Sequence, residues 1–322
     1  MSNINVQPRR GHQASKPRQI PKGGWKDIGK RVLNQLKKDH VQITAAGVAF
    51  YFFLAVFPTI AAAVSIYGLV MEPSQVEQQL NSATGVLPGQ AQEMLTGILE
   101  DTASKSGQTL GWSLVLSILL SLWSANKGTS ALFEGVNIAY DELDERNFIK
   151  KYAVTLAFTL GGIIIGFIAI ALVVAFPAFV GNLGLPGTVQ TLIDWLRWPL
   201  LIVILIFAIS LLYKIAPDRD NPTFRWVSWG ATLAAIFWIG GSLLFSLYVS
   251  NFGSYDKAYG SFAAVIILMM WFFLTAFIIL LGAEINSEME HQTRKDTTVG
   301  PDEPMGQRGA YHADHVTGSD LD

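Results

Sequence analysis

Residues 152–180 read YAVTLAFTLGGIIIGFIAIALVVAFPAFV, twenty-nine positions without one charged side chain. A helix rises about 1.5 Å per residue, so this run exceeds a hydrocarbon core of about 30 Å. Five further runs, at about 45–70, 109–125, 198–215, 224–250 and 259–283, are nearly as free of charge. In hydrocarbon every backbone polar group needs an internal partner, which leaves the helix as the form for such runs. The fold class is therefore all-α: a polytopic membrane protein with six transmembrane helices and additional amphipathic interfacial helices.

Composition agrees. Of 322 residues 51% are hydrophobic and 15% charged, with a mean hydropathy of +0.36. Soluble chains carry about a quarter charged residues. The deficit falls in blocks, which marks spans rather than one greasy core. No cysteine is present, which removes disulfides, thiolate metal ligands and cysteine nucleophiles. The first 40 residues are polar and basic, without the apolar stretch of a cleavable signal, so the first span is expected to act as its own insertion signal.

The basic residues order the spans. Twenty of the twenty-three Lys and Arg lie before the first span, in 127–151, in 214–225 or in the tail; only Lys105, Arg197 and Lys257 lie between them. By the positive-inside rule both termini face the cytoplasm. Three regions follow: a disordered basic tail over 1–24, a six-span membrane domain over 25–292 and a disordered tail over 293–322. Residues 25–40 carry Trp25, Ile28, Val32 and Leu36 on one face and basic residues on the other. That spacing predicts an amphipathic helix on the anionic lipid of the cytoplasmic leaflet, or else an ordinary solvated helix. The middle of span one carries Pro58, where a kink is expected. Gly162 and Gly166 have the GxxxG spacing of closely packed membrane helices.

Certain segments, AAGVAFYFFLAVFP (45–58), NIAYDELDERNF (137–148), YDKAYGSFAAVIILMMW (255–271) and GAEINSEME (282–290), resemble the YihY/BrkB family of bacterial inner-membrane proteins. Some of its members once bore a ribonuclease BN label. The resemblance covers roughly 25–292 and implies a six-helix membrane protein with export or permeation of a solute or lipid, or envelope integrity, as its role. It implies no settled chemistry.

Three clusters are candidates for a pathway or gate. Glu284, Glu288 and His291 share one helix face at the end of span six, where ionisable groups are expensive and can line a conduit or bind a cation. Asn286 sits on a neighbouring face, suited to bonding another helix. Asn126 and Lys127 end span two, followed by Asn137, Tyr140, Asp141, Glu142 and Arg146 on a segment expected to pack under the bundle. On a helix Glu142 and Arg146 would pair at i, i+4. Tyr255, Tyr259 and Ser261 open span six from the far side. Against each stands a bland alternative: a helix end emerging into water, architectural packing, interfacial tyrosine anchoring. His312 and His315 have no partner set in the sequence, and His40 reads as interfacial.

Phosphate-binding loops, nucleophile elbows, zinc-protease motifs and dinucleotide fingerprints are missing from the sequence. No enzyme activity, cofactor, metal or nucleic-acid partner is therefore expected. The expected partners are the bilayer, anionic lipid at the basic arm and a small solute or lipid-like molecule; the oligomeric state is left open. The function expected is a permease or exporter without ATP hydrolysis of its own. An envelope scaffold acting through partners is the alternative.

Overall fold

A computed structural model describes residues 10–70, 107–181, 186–220, 222–251 and 262–317. Helix α1 spans Lys22–Lys38, α2 Val41–Val70, α3 Gly107–Ala139 and α4 Phe148–Ile170. A widened π turn, Ala171–Ala175, joins α4 to α5, Phe176–Gly181. Then come α6 (Gly187–Ile215), α7 (Phe224–Asn251), α8 (Phe262–Glu290) and the short α9 (Tyr311–Asp314). Among the described residues there is no strand, only one isolated bridge between Pro222 and Thr298.

The protein is an all-α membrane protein. Five stretches, within α2, α4 with its π turn, α6, α7 and α8, are long and apolar enough to cross a bilayer. The run at 109–125 lies inside α3, which is not among those five, so six spans were expected and five are seen among the described residues. These helices turn large apolar side chains outward: Phe167 and Leu244 are each 69% exposed. In water such a surface would aggregate; in lipid it is solvated.

The chain forms two compact units. One comprises Met1–Val48, Thr129–Leu247 and Phe273–Asp322; the other comprises Ala49–Gly128 and Tyr248–Phe272. In the second unit, Ser124 donates to the Tyr51 carbonyl (3.0 Å) and a Cβ on Gly128 would press on the Phe52 ring at 3.0 Å. Helix α2 runs unbroken through Pro58, where the Thr59 hydroxyl donates to the Ala55 carbonyl at 2.6 Å.

The first unit departs from three sequence expectations. Helix α1 forms where its apolar spacing placed it, ended by His40 in the left-handed region (φ 48°). Its apolar face, however, is taken up by protein: Ile28 and Val32 are buried with Ala14, Ile20, Trp226 and Met289. The amphipathic pattern is blind to whether lipid or protein will cover it. The second departure concerns the tails, read as disordered over 1–24 and 293–322. Residues 10–20 and 293–317 instead fold on one another: Arg294 N–H donates to His12 O (2.9 Å), Thr293 Oγ1 to Ala14 O (2.6 Å) and Gln292 Nε2 to Arg10 O (2.8 Å). Buried Arg308 binds three backbone carbonyls, of Ala313, Arg294 and Glu303. Polar composition suggested disorder because the segment lacks apolar area; long-range hydrogen bonds to buried groups order it instead.

The third departure is in the glycines. A Cβ on Gly162 or Gly166 would meet nothing within 4 Å, so the GxxxG face packs on no helix among the described residues. Close approach occurs between α7 and α8 instead. A Cβ on Gly230 would fall on the Asn286 amide and lie 2.5 Å from the Gly282 carbonyl; one on Gly282 would lie 2.8 Å from Ala234 Cβ. Gly230→Ala should therefore destabilise the protein by about 1–3 kcal/mol through overpacking. Gly162→Ala should leave stability within about 0.5 kcal/mol. Thermal unfolding in detergent, read by tryptophan fluorescence, distinguishes the two.

Candidate functional site

Helix ends of the first unit converge on a cluster of buried polar groups. The C-terminal ends of α3, α6 and α8, the start of α7, and the α1–α2 joint all contribute. Glu284, Asn286, Ser287, Glu288 and Glu290, in the last two turns of α8, are each buried, as are Asn137 and Tyr140 at the end of α3. Their burial is tolerable only because most are paired.

Three links hold the cluster. Arg219, from the loop after α6, is fully buried and grips Glu290 with both nitrogens, Nη1 at 2.6 Å and Nη2 at 2.9 Å. Its guanidinium lies over the Tyr140 ring, 4.7 Å from the centroid. Arg31 of α1 binds the Glu288 carboxylate, the Glu288 carbonyl (3.1 Å) and Gln292 Oε1 (2.8 Å). His312 of α9, 1% exposed, lies with Nε2 3.1 Å from Asp141 Oδ2, and its ring meets His291 edge-on. With a carboxylate as acceptor, Nε2 carries the proton. Lys38 Nζ stands 3.8 Å from the other Asp141 oxygen.

The amides act as clamps. Asn286 Oδ1 accepts from Gly230 N–H (2.8 Å) and its Nδ2 donates to Val227 O (3.1 Å), joining α8 to α7. Asn137 Nδ2 donates to Phe133 O and Ala216 O, while its Oδ1 accepts from Asp218 N–H, joining α3 to the end of α6. Both were sequence candidates for a pathway; every polar atom on them is used in helix–helix bonding.

Of the other candidates, Asp141 has φ 52° and ends α3, so residues 142–147 run without helix. Glu142 and Arg146 consequently do not pair at i, i+4. Arg146 binds Asp144 (2.7 Å) and the Ala216 carbonyl, and approaches Asp218 at 3.6 Å. Glu142 accepts from Tyr311 N–H at 2.7 Å. Asn126, buried, and Lys127, exposed, lie in the second unit. Tyr255, Tyr259 and Ser261 fall outside the described residues. Sequence reasoning missed Arg31, Asp39, Arg219, Glu290 and His312. Arg219 and Arg31 counted only as topogenic charge, and no local spacing could reveal partners 71 or 257 residues away.

Among the groups outside the spans, Asp141 and His312 have shifted titration. The hydrogen bond from His312 holds the Asp141 carboxyl below the usual range, while burial pushes the His312 imidazole below its ordinary value despite that carboxylate. Among the described residues no set of three or more His, Asp and Glu side chains is arranged to hold a metal ion.

The family of virulence factor BrkB matches residues 32–306, from the second half of α1 into the folded tail. This chain belongs to the virulence factor BrkB family. Its relatives include YfkH of Bacillus subtilis (strain 168), named as ribonuclease-like, which is 31% identical over 79% of this chain and 91% of that protein. A UPF0761 membrane protein of Idiomarina loihiensis is 24% identical over 83% of this chain and 94% of its own length. Another, from Vibrio parahaemolyticus, is 27% identical over 82% of each chain. No solved structure matches this BrkB-family chain.

Breaking the buried ion pair with Arg219→Ala strands Glu290 and should cost about 3–5 kcal/mol of stability. Replacing both partners by leucine should recover most of that loss, as thermal unfolding in detergent would read. Acid should loosen the folded tail. Both His312 and Asp141 bind protons less readily folded than unfolded; the share of His312 is present above the ordinary imidazole value of about 6.5 and is lost as pH falls below it, while that of Asp141 is lost only below the ordinary carboxylate value of about 3.9. Amide hydrogen exchange over 311–317, corrected for its intrinsic pH dependence, should quicken between neutral pH and about pH 5. His312→Ala should exchange fast at both.

Proposed function

We propose that this BrkB-family protein is an inner-membrane permease or exporter that moves a small lipid-like molecule without hydrolysing ATP itself. One observation carries the reading. Helices α4, α6 and α7 line an open groove of about 660 Å³, walled by apolar side chains such as Ile165, Trp198, Leu205 and Trp238. A volume of this size suits a small molecule, and a wall so poor in polar groups suits acyl chains better than a hydrophilic solute. The π turn at 171–175 borders it, with Val173 in its lining. Such widened turns recur at functional sites.

Orientation has support of a different kind. The four segments holding most of the basic residues meet through Arg31–Glu288, Asp141–His312 and Arg219–Glu290. Segments that touch one another favour one common membrane face, which the positive-inside rule makes the cytoplasm. Both termini then lie inside the cell. On α1, Lys22, Lys26, Lys30 and Lys37 are exposed and available to anionic headgroups.

The polar cluster at the helix ends is assigned as the gate of this pathway, with Glu284 and Glu288 buried within it. Purified protein in liposomes should accelerate the transbilayer movement of a short-chain fluorescent phospholipid. Filling the groove with Ala208→Trp should reduce that movement at least about tenfold with the unfolding temperature held. Wild-type liposomes no faster than protein-free ones would overturn the reading and leave the scaffold alternative.

A further inference from the structure

The buried acids of the first unit are not all alike. Glu288 has Arg31, Glu290 has Arg219, Asp144 has Arg146 and Lys151, and Asp296 has Arg308 at 3.9 Å. Asp141 has His312 and Lys38. Glu284 has no such partner. It is 1% exposed, and both its carboxyl oxygens are buried without a hydrogen-bond donor. Facing it within hydrogen-bonding reach is a second acid, Asp39, whose Oδ2 is likewise buried without a donor.

Two ionised carboxylates are both acceptors and cannot bond one another. In a buried place their charges also repel, and neither has water to screen it. One proton resolves both problems: it makes one acid a donor to the other and removes one charge. A metal ion would resolve them too, but no set of three ligands stands there among the described residues. We propose that Asp39 and Glu284 form a proton-binding site, with one proton held between the two carboxyl groups at neutral pH.

The proton resides on Glu284, the more deeply buried acid, which donates to Asp39. The surroundings are consistent with an acid pair. From α8 the site is faced by Glu288, itself held by Arg31 and 3.8 Å from His291. From the end of α3 come Asp141, bound by His312, and the buried Tyr140. From the α1–α2 joint comes Lys38, which reaches Asp141 but no oxygen of Glu284. Burial, then the charge of Asp141, pushes the Asp39 carboxyl above its ordinary value.

The backbone at this place is also unusual. His40, next to Asp39, and Asp141, facing the pair, are the two non-glycine residues with positive φ among those described, at 48° and 52°. Held conformations of this kind collect where a chain must present particular side chains. Asp39 caps the end of α1, two residues before α2 begins, so the shared proton ties the joint between those helices to the end of α8. Loss of the proton would set two charges against each other across that contact. The site stands whether or not the protein moves lipid, since its evidence is the acid pair alone.

Infrared spectroscopy of the full chain in phosphatidylcholine nanodiscs tests it. At neutral pH the protein should show a carboxylic-acid C=O band that shifts in D2O, bleaches as pH is raised, and is missing from Glu284→Gln. In that variant the amide supplies the donor and Asp39 is free to ionise. If Glu284→Gln does not fold, Asp39→Asn gives the answer: the band should move, because Glu284 then faces an amide rather than a carboxylate. The proposal is overturned if wild type lacks the band at neutral pH, if Glu284→Gln retains it, or if Asp39→Asn leaves its position and size unchanged. Bleaching when sodium replaces choline at fixed pH would assign the site to sodium and equally overturn it.

Discussion

A backbone in hydrocarbon can bond only to itself, and the rest of this structure follows from that constraint. It makes the spans helices and turns their apolar faces outward. It also banishes polar chemistry to where the helices end. Those ends are not left to water. Arg219, Arg31 and Arg308 are drawn into the first unit, and each is met by a carboxylate, a carbonyl or both. The polar cluster is thus a second core, held by hydrogen bonds and ion pairs, where the spans are joined by packing and a few hydrogen bonds such as Tyr213 to the Ile279 carbonyl and Thr159 to Thr129.

Such a core gains little net stability from each pair, because desolvating two charges offsets most of their attraction. Its effect lies in specificity. Asn137 fits only with the end of α6 across from it, and Asn286 only with α7. Glycine at 230 and 282 lets α7 and α8 come close enough for the Asn286 amide to reach a backbone N–H. Packing and polar bonding are therefore one requirement at this contact. Within this core the Asp39–Glu284 pair is distinct in setting two acids together, two acceptors and no donor. The apolar groove among α4, α6 and α7 lies in the same unit and is the complementary feature, a space with almost no polar atoms.

Much of the candidate site was legible as residue types and little of it as partners. Glu284 and Glu288 share a helix face in the sequence, and both are buried. Their fates differ, because Arg31 reaches one and not the other. Glu142 and Arg146 have the spacing of a helical pair, yet Asp141 turns out of the helix and sends them to Tyr311 and Asp144. The apolar stripe on α1 was read as a lipid-binding face and packs on Trp226 and Met289. His312 sits in a segment whose composition argues for disorder, and is among the most buried side chains of the protein.

Sequence by itself determined the solvent, the helical class and the positions of most helices, since length, hydropathy and charge are local properties summed along the chain. It also carried the family resemblance, which rests on residues in order. Tertiary structure alone decided that the polar tail folds back, which glycines are crowded, and which buried acid lacks a cation. Those outcomes depend on atoms brought within a few ångströms from 56 to 282 residues apart, and no spacing along the chain encodes such meetings.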